Sequence, residues 1–153
     1  MVDINELLPR ERTPRHYRDL AGDPRIDQEG LRTLAVSGFA FVRVAVAENP
    51  RADAATLATI PIDDLDVYTR NGLLVILARH RNADRALLLD LLRRAVRLLN
   101  EPNQRPYAFV LALAGRAELS RTEVLTLIRQ PNSARRMNSA VVRCLDSRDP
   151  AAD

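Results

Sequence analysis

Lysine is missing from this chain: all 23 basic residues among its 153 are arginine. Codon bias in a GC-rich genome accounts for that before any selected role of the guanidinium group does. Tryptophan is missing too, and Phe and Tyr number three each, so the core must be aliphatic. A single cysteine, Cys144, excludes an internal disulfide; with only His16 and His80 beside it, the ligands are too few for a cysteine-rich metal or cluster site. A reducing cytoplasm is the expected location. No apolar run is long enough for a signal peptide or a membrane span, so no membrane partner is expected. Glycine is scarce, at five copies, and most of the nine prolines fall between apolar-periodic segments, where they punctuate helices rather than interrupt them.

What is abundant is Leu (23) and Ala (21), which favours packed helices, since strands prefer β-branched and aromatic residues. The length and the 46% hydrophobic content suffice for one domain with its own core. The net charge is only +3 and the signs alternate along most of the chain, so composition does not point to a nucleic-acid protein.

One phrase recurs. Ala21-Gly22-Asp23-Pro24-Arg25-Ile26-Asp27 returns 26 residues later as Ala47-Glu48-Asn49-Pro50-Arg51-Ala52-Asp53, and an apolar pair follows each copy, Leu31 with Leu34 and Leu57 with Ile60. Ala78 to Asp84, followed by Leu88 and Leu91, matches at an offset of 31, and Ala114 to Ser120, followed by Val124 and Leu127, at a further 36. Ala140-Val141-Val142-Arg143 repeats Ala40-Phe41-Val42-Arg43 at an offset of 100, and Asp149-Pro150 falls where Asn49-Pro50 stands. Self-similarity at such periods marks stacked repeats.

Each phrase has the same physical content. Pro50 lacks an amide hydrogen and biases Asn49 away from helical geometry, ending the apolar helix from Ala40. Asp27, Asp53 and Asp84 then stand where a carboxylate accepts from the free amides of a new first turn; in the fourth copy Ser120 with Glu123 completes a capping box. Leu88, Leu91, Leu92, Ala95 and Leu99 form one stripe of a four-turn amphipathic helix, and Tyr107 to Ala114 reads as a buried one. Asp63 to His80 reads as helix, with Asn71-Gly72 the place where a break would fall. The expectation is eight to ten helices and no sheet: an all-α, repeat-built domain over 14–148, with 1–13 flexible and 149–153 frayed.

At Val42-Arg43-Val44-Ala45-Val46-Ala47-Glu48-Asn49-Pro50, continued by Leu57 and Ile60, the sequence resembles the leucine-rich repeat variant family. The resemblance implies an α-solenoid, a right-handed superhelix of alternating long and short helices. The spacings of 31 and 36 exceed the family's period of about 24 residues and also suit HEAT-like helix pairs. Some family members carry an iron-sulfur cluster in a cysteine-rich segment; a lone Cys144 offers no such ligand set, and no cofactor is expected.

Repeats set equivalent residues in rows, and Arg25 and Arg51, with Arg81 and Arg116 within a residue of the same position, make such a row. It is the candidate binding site, because planar guanidinium groups grip carboxylates and phosphates bidentately. The bland account is a solvated loop edge. Arg43 and Arg143, inside apolar helices, are read as structural, reaching out at the edge or bonding an inter-repeat loop. Asp63, Asp64 and Asp66 after Pro61 read as first-turn caps rather than metal ligands. His16 and His80 have no partner motif, so neither a catalytic residue nor a metal site is assigned. The function expected is a non-enzymatic scaffold for a protein or peptide; the alternative is a nucleic-acid-binding solenoid using the Arg row, and a HEAT-like DNA glycosylase ranks below it for want of aromatic residues.

Overall fold

The computed structural model describes residues 1–148; the fraying expected of 149–153 lies outside them. All regular structure among the described residues is helical: α1 (Ile4–Leu7), α2 (Pro14–Ala21), α3 (Gln28–Ala35), α4 (Ala40–Glu48), α5 (Ala54–Thr59), α6 (Val67–Arg79), α7 (Arg85–Leu99), α8 (Tyr107–Ala114), α9 (Arg121–Ile128) and α10 (Arg135–Arg148). The chain forms two compact units, Met1–Ala83 and a second beginning at Asp84.

Local chemistry starts these helices where the repeated phrase places it. The Gly30 amide donates to Asp27 at 2.8 Å, Thr56 to Asp53 at 2.7 Å and Leu87 to Asp84 at 2.8 Å. At α9 the bonds are reciprocal: the Glu123 amide donates to Ser120 Oγ, and the Ser120 amide to the Glu123 carboxylate. Each cap is worth about 1 kcal/mol. α2 uses a different device, its Thr13 amide donating to His16 Nδ1 at 3.1 Å.

α6 departs from expectation in where it starts. It begins at Val67, so among the three aspartates only Asp66 caps it, accepting from the Thr69 amide at 3.0 Å. It also passes through Asn71-Gly72 without a break. The low propensity of Gly72 is outweighed by the burial of Leu73, Leu74, Leu77 and Ala78 on the same helix.

In the first unit α4 packs between α2 and α6, and α3 packs against α4 and α5, giving two helical layers. Val42, Val46, Leu57, Leu73, Leu74 and Leu77 fill the space between them. In the second unit α10 packs on α8 and α9, and α7 on the same pair. The stripe of α7 is wholly buried, as are Phe109, Val110 and Leu113 of α8. The N-terminal segment 1–13, expected to be flexible, carries α1; Val2 donates its amide to Asp27 at 2.8 Å, and Ile4 lies over Gly30. No helix among the described residues is long and apolar enough to cross a membrane.

Candidate functional site

In the first unit the turns at 22–27, 48–53 and 80–83, the first two built on Pro24 and Pro50, lie one on another, and their polar side chains join them. Asn49, 7% exposed, donates to the Ala21 carbonyl at 2.7 Å while its own Oδ1 accepts from the Arg51 amide. His80 sits on Asn49 in the same way. The Asn82 amide donates to Nδ1, which fixes the proton on Nε2, and Nε2 donates to the Asn49 carbonyl at 2.9 Å. Asn82 adds bonds to the carbonyls of Pro50 and Ala52.

The arginine row belongs to this stack. Arg51 Nη2 donates to the carbonyls of Asp23 and Ile26, at 3.1 and 2.9 Å. Arg81 Nε donates to the Pro50 carbonyl at 3.0 Å. Arg25, in the first turn, folds onto Asp23 through Nε and Nη2 at 3.0 and 2.7 Å. That guanidinium, helped by the Arg25 amide, holds the Asp23 carboxyl down at about 2. Arg116 lies in the second unit and pairs with Glu118 at 2.8 Å. Arg25, Arg51 and Arg81 are exposed, yet each spends at least one donor inside the chain. The structure therefore brings Arg51 over the turn that carries Arg25, and Arg81 over the turn that carries Arg51.

The second unit repeats the device. Arg148 Nη1 donates to the carbonyls of Ala114 and Arg116. Arg85 reaches the Glu118 carbonyl and forms a two-point pair with Glu123, whose carboxyl is held at about 2 by that guanidinium and by the Ser120 amide.

A different group gathers where α4 and α6 begin. Arg43, with its side chain only 5% exposed, donates Nε to the Ser37 carbonyl at 2.6 Å and Nη1 to the Pro61 carbonyl at 3.0 Å. Both Nη atoms meet the Asp64 carboxylate, at 2.7 and 2.8 Å. The pair raises the Arg43 pKa and lowers that of Asp64. Asp64 is thus the counterion of Arg43 rather than a helix cap. Arg143, its counterpart by sequence, stands exposed, because Met137, Val141 and Leu145 take the inner face of α10.

The Arg43 clamp ties the α3–α4 turn to the α5–α6 turn, and both turns present apolar side chains to solvent: Val36, Phe39 and Phe41 on one, Val67 and Tyr68 on the other. Tyr68 is 89% exposed, and the rings of Phe39 and Phe41 lie 5.7 Å apart. These side chains are absent from the reading of the sequence. The available signal was the placement of Phe39, Phe41 and Tyr68 at helix starts, where polar residues are usual.

No group of three or more His, Cys, Asp or Glu among the described residues is placed to hold a metal ion. Cys144 is a free, half-buried thiol. No protein-family model, curated protein or solved structure matches the chain.

Proposed function

We propose that this protein is a non-enzymatic α-solenoid scaffold that binds a peptide or protein segment bearing apolar anchor residues. One observation carries the reading: the exposed edge of Val36, Phe39, Phe41, Val67 and Tyr68 on two turns that Arg43 locks together. Elsewhere in the first unit the large apolar side chains are buried or half-buried apart from Met1 and Val2 at the N-terminus, so leaving three aromatic rings in water at this edge calls for a partner. Aromatic side chains on a rigid support are efficient anchors, since their few rotatable bonds cost little entropy on binding. The stacked turns and the clamp supply that support. The solenoid itself is inferred from the repeated phrase together with the layered helices of each unit.

A library of displayed peptides selected against the full chain tests the reading, with the triple variant Phe39→Ser, Phe41→Ser, Tyr68→Ser as counter-target. Wild type should enrich peptides with one or two large apolar residues, and these should bind the variant at least tenfold more weakly. Equal recovery on both proteins would remove the edge as the site. Steeply salt-dependent binding of generic duplex DNA, lost on Arg25→Ala with Arg51→Ala, would instead favour the nucleic-acid alternative.

A further inference from the structure

The outward face of α10 is a second candidate surface, separate from the aromatic edge and of opposite character. Arg135 and Arg136 occupy the first turn of the helix, with no carboxylate in that turn, and Arg143 follows two turns later. All three are exposed, and so is Arg129 at the end of α9. Among the described residues none of these four guanidinium groups has a side-chain hydrogen bond or ion pair. The one carboxylate on α10, Asp146, is taken by Arg121 at 2.7 Å.

The exposed face of α7 in the same unit is largely charge-matched, with Arg97 its one arginine outside an ion pair among the described residues. There Asp90 lies 3.5 Å from both Arg93 and Arg94, and Arg85 is matched by Glu123. The α10 face instead carries Arg135, Arg136 and Arg143 with no carboxylate placed against them, so its positive charge is left for an acidic partner to neutralise. A shallow hollow of about 540 Å³ opens on this face, lined by Ser133, Arg135, Asn138, Ser139, Val142 and Arg143. Val142 adds an apolar side chain to a lining that holds Arg135 and Arg143, whose Cα atoms at 1.5 Å per residue stand about 12 Å apart along the axis.

We propose that the α10 face binds an acidic helical peptide segment, with Arg135 and Arg143 each gripping a carboxylate and a small apolar residue of the peptide resting on Val142. Carboxylates seven or eight residues apart on a helix have the same 12 Å separation, about two turns. Nucleic acid fits less well. The face is one helix wide and offers three cations, whereas a duplex reader neutralises about six to ten phosphates, and no aromatic ring lines the hollow for stacking on bases.

Fluorescence anisotropy on the full chain tests this with a family of alanine-based helical peptides. They share a central Leu and differ only in carrying Glu, Gln or Lys at two positions eight residues apart; a generic 20-base-pair duplex is titrated beside them. The Glu peptide should bind at least tenfold more tightly than the Gln peptide, the Lys peptide should not bind, and Arg135→Ala with Arg143→Ala should abolish the difference. Both positions are solvent-facing, so helical circular dichroism of the double variant should match wild type and exclude unfolding as the cause. Equal binding of Glu and Gln peptides, no binding of any peptide, or a duplex that binds more tightly than the Glu peptide and loses affinity in the same variant would each overturn the proposal. The aromatic-edge variant should bind the Glu peptide as wild type does, so the two surfaces are tested independently.

Discussion

Arg43 and Asp64, 21 residues apart, form a two-point ion pair in which the cation is buried and the anion stands in solvent. The guanidinium also satisfies the carbonyls of Ser37 and Pro61, so its removal orphans two acceptors and empties a packed volume. Arg43→Ala should cost about 3 kcal/mol in urea unfolding of the first unit. Asp64→Asn should destabilise in the same direction but less, since the two carbonyl bonds survive. If Asp64→Asn proves the costlier change, the carbonyl bonds are not what holds the turns together.

Asn49 and His80 work in series: Asn49 holds its own turn to Ala21, and His80 holds the next turn to Asn49. Each alanine substitution should cost about 2 kcal/mol, because each leaves a buried carbonyl without its donor. The double variant should fall short of the sum by at least about 0.5 kcal/mol, as expected of neighbours in one network. Strict additivity in a double-mutant cycle would show that the turns are held independently.

The carboxyls of Asp23 and Glu123, both held at about 2, predict the response to acid. A carboxyl whose pKa is lower folded than unfolded contributes its full stability above its ordinary value, 3.8 for Asp and 4.5 for Glu. That contribution disappears as pH falls through about 2. Melting temperature should therefore be nearly flat, as far as these groups are concerned, between pH 7 and 5, then decline from about pH 4.5 to 2. Asp23→Asn should flatten part of that decline, and Glu123→Gln another part. A melting temperature unchanged between pH 5 and 2 would contradict the assignment.

Two glycines should answer oppositely to alanine. A Cβ at Gly30 would meet Ile26 Cγ1 at 2.7 Å and Ile4 Cγ2 at 2.9 Å, and Ile26 is fully buried, so Gly30→Ala should lower the melting temperature despite the better helix propensity of alanine. A Cβ at Gly72 meets nothing within 4 Å, so Gly72→Ala should stabilise α6 by about 0.5–1 kcal/mol. Thermal melts of the two variants decide both.

The caps at Asp27, Asp53, Asp84 and Ser120 were legible because each needs only an amide two or three residues ahead. The all-helical character was legible for a similar reason, resting on periodicity and on the proline breaks. Asp64 was misread because its partner is fixed by the packing of α4 against α6, which no local pattern encodes. The arginine row was visible as a recurrence. Its partners were not, since the Asp23 and Pro50 carbonyls belong to neighbouring turns and carry no side-chain signature. The aromatic edge escaped because exposure is a tertiary property: Phe41 and Val42 are adjacent and both apolar, yet one faces water and the other is buried.

The bonds that the side chains of the second and third stacked turns make to the turn before them point toward the N-terminus: Asn49 and Arg51 to 21–26, His80, Arg81 and Asn82 to 49–52. A ribosome therefore extrudes these acceptors before their donors, Gln28 with the later Arg51 carbonyl being the exception, and each emerging turn meets a finished template. Fragments shortened from the C-terminal side should accordingly keep more helix, residue for residue, than fragments shortened from the N-terminal side. Nested truncations of the first unit followed by circular dichroism would reveal the direction in which this protein is built.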